Sequence, residues 1–157
     1  MRRISDLPDA EAAAELAACC ASARWVARML SQRPFKDRDE VFESADRIWR
    51  DLAPEDWHEA FRAHPRIGER ASGTAANEQS SMQSASDDVR AALAGANAEY
   101  EKKFGWIYIV CAIGKSPEEM LAMCRARMAN DSESELKVAA EEQLKITKLR
   151  LEKLLTV

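Results

Sequence analysis

The sequence predicts an all-α fold: a single compact helical domain of about seven or eight helices over residues 1–157. Three observations favour it. Apolar residues recur at helical spacing along most of the chain. Proline, glycine and capping residues stand where these stretches begin and end. The chain has one strand-like run and no second one to pair with it. No repeat or composition shift marks a domain boundary, which favours a single domain.

The predicted helices of the first half are separated by prolines. They run over residues 9–21, onward to about residue 32, over 38–52 and over 54–64. Pro8 suits the first turn of the first helix, and Pro34 interrupts the second stretch. Pro54, followed by two acidic residues, begins the helix that ends at His64.

Capping residues place the helices of the second half. A short helix begins near residue 74, and Ser84 or Ser86 caps a longer one that Gly105 ends. Ser116 begins a helix that ends near residue 130. Asp131 or Ser132 caps the last helix, which runs to about residue 155. The amphipathic stripes are Val89, Leu93, Ala96, Tyr100 and Phe104 on the longer helix and Leu136, Ala140, Leu144, Thr147 and Leu151 on the last.

Residues 106–113 are the most apolar run of the chain. Their β-branched and aromatic side chains favour a strand, but a lone strand leaves its backbone unsatisfied. Two interpretations stay open: a buried extended segment that leads into a helix, or a helix outright. The backbone donors of such a segment can contact a ligand, and the alternative is plain core.

Composition and charge exclude several kinds of partner. The chain is 46% apolar and 32% charged, as in globular proteins. Its formal net charge of −4 argues against nucleic acid or an anionic membrane as the main partner. No apolar run approaches the ~20 residues that span a bilayer, and no signal peptide is recognised, so a cytoplasmic location is expected.

The cysteine and histidine spacings do not predict a metal site. The four cysteines are Cys19, Cys20, Cys111 and Cys124. They contain no Cys-x-x-Cys pair, so we expect reduced core thiols and neither disulfides nor zinc. His58 and His64 are six residues apart, which puts them on different faces of a helix.

His64 is the first candidate for chemistry. It precedes Pro65 and should lie at the C-terminal end of a helix, where positive charge is favoured. Imidazole titrates near physiological pH. A small, flexible stretch then leads to Glu78 and Gln79. One hypothesis is that His64 and these residues form a proton-handling site. The other is that His64 and Pro65 only end the helix.

Arg150 is the second candidate. Ile146 and Leu154 lie one turn away on the last helix, and a guanidinium beside an apolar stripe needs a partner. Either the side chain extends to solvent and pairs with a surface glutamate, or it points a cationic fork into a pocket that holds a planar anion.

Several short motifs occur in one order along most of the chain. They are Arg33-Pro34-Phe35, Ala63-His64-Pro65-Arg66-Ile67-Gly68, Glu78-Gln79, Glu99-Tyr100-Glu101-Lys102-Lys103-Phe104-Gly105, Cys111-Ala112, Arg127-Met128 with Asn130, and Lys148-Leu149-Arg150-Leu151. Together they resemble the 2-oxo-4-hydroxy-4-carboxy-5-ureidoimidazoline (OHCU) decarboxylase family of urate degradation. That family implies an all-helical fold, no metal or organic cofactor, and conversion of a small ureidoimidazoline substrate to (S)-allantoin and CO2.

The resemblance also implies the site residues. The catalytic histidine falls on His64, the acid on Glu78 and the substrate-holding arginine on Arg150. Homodimer formation is raised by the resemblance alone. The implied substrate contacts are Pro65, Ala75, Ala76, Asn77, Gln79, Tyr108, Ile109, Val110, Cys111 and Ala112.

Three positions depart from the family pattern. Ile113 stands where many members have arginine, and Trp106 and Ile107 replace a more frequent Phe-Pro. They bear on substrate geometry and remove no proposed catalytic group. Two other functions stay open: a regulatory helical bundle that docks a partner helix, and a family member that has kept the fold but lost activity.

Overall fold

The computed structural model describes residues 2–67 and 86–156, and within these ranges all regular structure is α-helical. The prediction of an all-α fold is therefore confirmed. The helices are α1 (Arg2–Asp6), α2 (Asp9–Cys19), α3 (Ala23–Ser31), α4 (Arg38–Arg50), α5 (Pro54–Arg62), α6 (Asp87–Phe104), α7 (Pro117–Arg127) and α8 (Ser132–Thr156). None of these helices is long and apolar enough to cross a membrane.

The described helices belong to two compact units. The first comprises Met1–Ala60 with Leu144–Val157, and the second comprises Phe61–Gln143. The prediction of one domain over residues 1–157 stays a prediction.

The first unit has an aromatic core between α3 and α4. Trp25 is fully buried, and its indole Nε1 donates a hydrogen bond to the Ala45 carbonyl oxygen at 3.3 Å. Trp49 is also buried, and its ring centroid lies 6.1 Å from that of the half-buried Trp57. Trp25 is thus a core residue of this unit.

The helical stretch predicted to continue to residue 32 is divided in the structure. Backbone at Cys20 is extended, and Ser22 caps α3 by accepting a hydrogen bond from the Trp25 N–H at 3.3 Å. The short α1 was not predicted, because five residues are too few to show a helical period.

The second unit is built on α6 packed against α7. Ser86 Oγ accepts from the Val89 N–H, and Ser116 Oγ accepts from the Glu119 N–H, so Ser86, one of the two predicted alternatives, caps α6 and the predicted Ser116 caps α7. Gly105 ends α6 with a φ of 89°, a left-handed conformation that favours glycine. The core cluster consists of Ile67, Leu93, Ala96, Tyr100, Phe104, Tyr108, Val110, Ala112, Met120, Leu121 and Cys124.

Residues 107–112 form neither a helix nor a strand. The helical alternative is therefore wrong. The segment is non-helical and buried from Tyr108 to Ala112, and the next helix begins only at Pro117.

The four cysteines are free and buried, as predicted. Burial raises the pKa of Cys20 and that of Cys124 to about 11. These thiols are therefore kept neutral and poorly nucleophilic at physiological pH.

Candidate active site

His64 follows the end of α5, as predicted, and its imidazole is held by a buried amide. Its N–H donates to the Phe61 carbonyl oxygen at 3.1 Å, which closes the turn after the helix. Its Nε2 lies 2.6 Å from Oε1 of Gln143 on α8, within hydrogen-bond distance. Gln143 is 0% exposed, whereas His64 is half-buried. The imidazole is thus fixed on one side by an interior residue of the second unit.

The backbone that follows His64 is tied to α6. Arg66 donates two hydrogen bonds to the carboxylate of Glu101, at 2.7 and 2.9 Å, in a bidentate pair. The Asn97 amide donates to the Ile67 carbonyl oxygen at 3.0 Å, and Ile67 is buried in the core cluster. Residues 64–67 therefore have anchors on both α6 and α8.

The 108–112 segment takes its shape from charged side chains. Glu142 Oε1 accepts a hydrogen bond from the Cys111 N–H at 3.0 Å, and Arg127 Nη1 donates to the Ile109 carbonyl oxygen at 2.8 Å. Lys115 Nζ donates to the Cys111 carbonyl oxygen at 2.7 Å. Buried backbone groups that a sheet would satisfy are satisfied here by side chains.

Arg127 and Glu135 form the charged centre of this network. Arg127 Nε and Nη2 donate to Glu135 Oε2 at 2.8 and 2.6 Å, and both side chains are buried. Tyr100 also donates its hydroxyl to Glu135. Burial is the largest single influence and lowers the pKa of Arg127, but the hydrogen bond to Glu135 together with the electrostatic attraction of Glu135, Tyr100 and Tyr108 outweighs it, so the pKa is raised overall. The pKa of Tyr100 is raised, chiefly by burial and next by the hydrogen bond to Glu135.

Arg150 lies in the first unit, where it is half-buried beside the end of α2. Its Nη1 is 3.5 Å from the Ala18 carbonyl oxygen, in the last turn of α2. A cation is favoured there by the helix dipole. Nearby in this unit, Lys148 Nζ lies 2.9 Å from Asp46 Oδ1, which ties the end of α8 to α4.

The predicted site residues fall into three groups. His64 and Pro65 lie in the second unit with the 108–112 segment, and Arg150 lies in the first unit. The grouping of His64, Glu78 and Arg150 in one cleft stays a prediction. Outside the described residues lie Ala75, Ala76, Asn77, Glu78 and Gln79, together with the helix predicted near residue 74.

Sequence reasoning missed the residues that support the site. Gln143 and Glu142 are polar residues in the buried part of α8, and Glu135 lies seven residues before Glu142 on the same helix. A polar side chain at a position where the helical stripe is otherwise apolar was the available signal. It does not reveal which backbone group such a side chain binds, because that depends on the path of a loop.

Comparisons with known proteins agree on one family. The family model described as OHCU decarboxylase matches residues 5–152. The chain is 36% identical over 145 residues to the uric acid degradation bifunctional protein TTL of Arabidopsis thaliana, with 87% of this chain and 45% of the plant protein covered. It is 30% identical over 132 residues to the 2-oxo-4-hydroxy-4-carboxy-5-ureidoimidazoline decarboxylase of Haloferax volcanii, covering 81% of this chain and 79% of that protein.

A solved structure gives the same result. The crystal structure of an OHCU decarboxylase in the presence of (S)-allantoin superimposes with a TM-score of 0.83 at 38% identity, and it covers 91% of this chain and 98% of its own. The present chain spans less than half the length of the plant bifunctional protein that it matches.

Proposed function

Because this chain belongs to the OHCU decarboxylase family, we propose that it is a carboxy-lyase that converts 2-oxo-4-hydroxy-4-carboxy-5-ureidoimidazoline to (S)-allantoin. The observation that carries the proposal is the likeness, over 91% of the chain, to an OHCU decarboxylase crystallised in the presence of (S)-allantoin. The position of His64, held by Gln143 at the end of α5, supports it.

The decarboxylation requires few protein groups. Loss of CO2 breaks a carbon–carbon bond and leaves its electron pair on the ring carbon, where the adjacent unsaturated ring delocalises it. The protein must orient the carboxylate, stabilise the charge that develops, and deliver one proton to one face of the ring. The face that receives the proton determines which enantiomer forms.

His64 is the proposed proton donor. A half-buried imidazole can hold a proton near physiological pH, and the bond to Gln143 restricts its orientation. General acid action of this kind contributes roughly 10²–10⁴ in rate.

Arg150 is the proposed anchor for the substrate. A guanidinium presents a planar fork that suits a carboxylate or carbonyl group. Glu78 and Gln79 bind the ureido N–H groups or the hydroxyl, and the negative charge of Glu78 helps to expel the carboxylate. Pro65 and the residues from Ala75 to Asn77 complete the lining.

The buried 108–112 segment is the proposed wall for the substrate ring. Its backbone is fixed by Arg127 and Glu142, which supports a preorganised surface. Convergence of His64 with Arg150 on one substrate is part of the proposal and rests on the family resemblance.

The proposal also covers the cellular location and the association state of the protein. Four free, buried thiols suit a reducing compartment such as the cytoplasm. A homodimer is the proposed association state, and light scattering of the purified chain tests it.

Circular dichroism of a urate oxidation mixture tests the proposed activity. Added enzyme should make the optical signal of (S)-allantoin rise well ahead of the slow uncatalysed decay, which gives a racemate without a signal. Release of CO2 should match the allantoin formed, one for one. A decay rate and a racemic product that the protein leaves unchanged would refute the assignment and favour a binding module.

A further inference from the structure

The contact between His64 and Gln143 determines more than the orientation of the ring. Gln143 is fully buried, and its Oε1 lies 2.6 Å from Nε2 of His64. An amide oxygen carries lone pairs and no hydrogen, so it can only accept a hydrogen bond. The contact therefore requires a proton on Nε2 of the imidazole.

A neutral imidazole carries one proton, on either Nδ1 or Nε2. We infer that Gln143 is a positioning residue that holds this proton on Nε2, so that Nδ1 is the nitrogen that takes up and delivers the catalytic proton. The assignment of a catalytic role to Nδ1 rests on the proposed function, whereas the location of the proton on Nε2 does not. In the step itself, the carbon that lost CO2 becomes a carbonyl as its hydroxyl proton passes to the ring nitrogen. The Nδ1–H bond of the imidazolium breaks, a C–H bond forms on the neighbouring ring carbon that carries the ureido group, and His64 returns to its neutral Nε2–H form.

The arrangement has one chemical alternative. If the amide group were turned so that its NH2 faced His64, it would donate to a lone pair on Nε2, and the imidazole proton would lie on Nδ1. The roles of the two ring nitrogens would then be exchanged. These two states have different tautomers, which nitrogen chemical shifts distinguish.

The sequence makes the measurement simple, because the chain has two histidines. His58 lies on α5 outside the proposed site, so His58→Gln leaves one imidazole to observe. Proton–nitrogen correlation spectra of this variant are recorded at about pH 9, well above the ordinary imidazole pKa of about 6.5. We expect the Nε2–H tautomer, with an Hε2 signal that exchanges slowly with water.

Two substitutions of Gln143 in this background complete the test. Gln143→Met removes the acceptor and keeps the length of the side chain, so the slowly exchanging signal should disappear. Gln143→Glu keeps an acceptor that cannot donate, so the Nε2–H signal should persist. In the decarboxylase assay, Gln143→Met should lower kcat about tenfold with little change in KM, as expected for loss of one orienting hydrogen bond.

The outcomes separate the two proposals. An Nδ1–H tautomer, or a Gln143→Met variant that keeps both the protected proton and wild-type kcat, would overturn the role of Gln143. A chain without decarboxylase activity but with the expected spectra would refute the proposed function and retain the assignment of the proton to Nε2. Far-ultraviolet circular dichroism checks that each variant is folded.

Discussion

Arg127 Nη2 and Glu135 Oε2 lie 2.6 Å apart in the interior of the second unit, with 8% and 0% of their side chains exposed. Through Arg127, this pair also holds the Ile109 carbonyl oxygen. A buried ion pair thus connects the start of α8 to the segment proposed to line the substrate. Its members depend on each other, because either charge left alone in the interior is strongly unfavourable.

Loss of Arg127 should therefore destabilise the protein strongly. Arg127→Met leaves Glu135 buried without its cation, and we expect a loss of about 3–5 kcal/mol in the free energy of unfolding. The double variant Arg127→Met with Glu135→Leu removes both charges and should be more stable than Arg127→Met alone. Urea unfolding of both single variants and the double variant measures this coupling. Strictly additive losses would show that the two charges do not depend on each other.

Glu142 should influence substrate binding through the backbone of Cys111. Glu142→Ala removes the acceptor of the Cys111 N–H, a loss of about 1.5–3 kcal/mol for a bond to a charged group, and should loosen the proposed wall. We expect KM to rise several-fold. The matched control is Glu141→Ala, since Glu141 is the exposed neighbour on α8. Equal effects of the two variants in steady-state kinetics would contradict the proposed role.

Buried thiols should make the fold sensitive to alkaline pH. Burial raises the pKa of Cys20 and that of Cys124 from 9.0 to about 11, so the folded state keeps thiol protons that the unfolded chain loses. Between pH 9.0 and about 11 the unfolded state therefore gains stability relative to the folded state, and Tm should fall. Tm measured across this range should decline less in a Cys20→Ala, Cys124→Ala variant. The same decline in both proteins would assign the effect to other groups, such as Tyr100 and Tyr108.

Arg150→Lys tests the cationic fork. Lysine keeps the charge but loses the planar pair of donors, so KM should rise at least tenfold while the fold is retained. Arg38→Lys is a matched control in the first unit, because Arg38 pairs on the surface with Glu152. An unchanged KM in Arg150→Lys would instead support the alternative in which this side chain extends to solvent beside the end of α2.

The sequence predicted the helices well where a cap or a glycine marks the boundary. Ser86, Ser116 and Gly105 act locally, so their effect is visible in the residues beside them. The path of residues 107–112 was not predictable in this way. Its backbone groups are hydrogen-bonded by Arg127 and Glu142, which are remote in sequence. The local propensity of residues 107–112 therefore does not predict their conformation.

The candidate site was predicted in part. The position of His64 at the end of a helix followed from Pro65, whose ring restricts the residue before it. Its partner Gln143 is 79 residues away in the chain, and nothing near either residue indicates the pairing. The catalytic roles of Glu78 and Arg150 came from family resemblance and stay predictions.

Proton delivery by His64 is tested by the rate at which optically active allantoin forms with His64→Gln, with His58→Gln as the control. We expect the His58 variant to retain the wild-type rate and to form a single enantiomer. The His64 variant should be slower by roughly 10²–10⁴. A folded His64→Gln protein that produces pure (S)-allantoin at the wild-type rate would show that His64 does not deliver the proton.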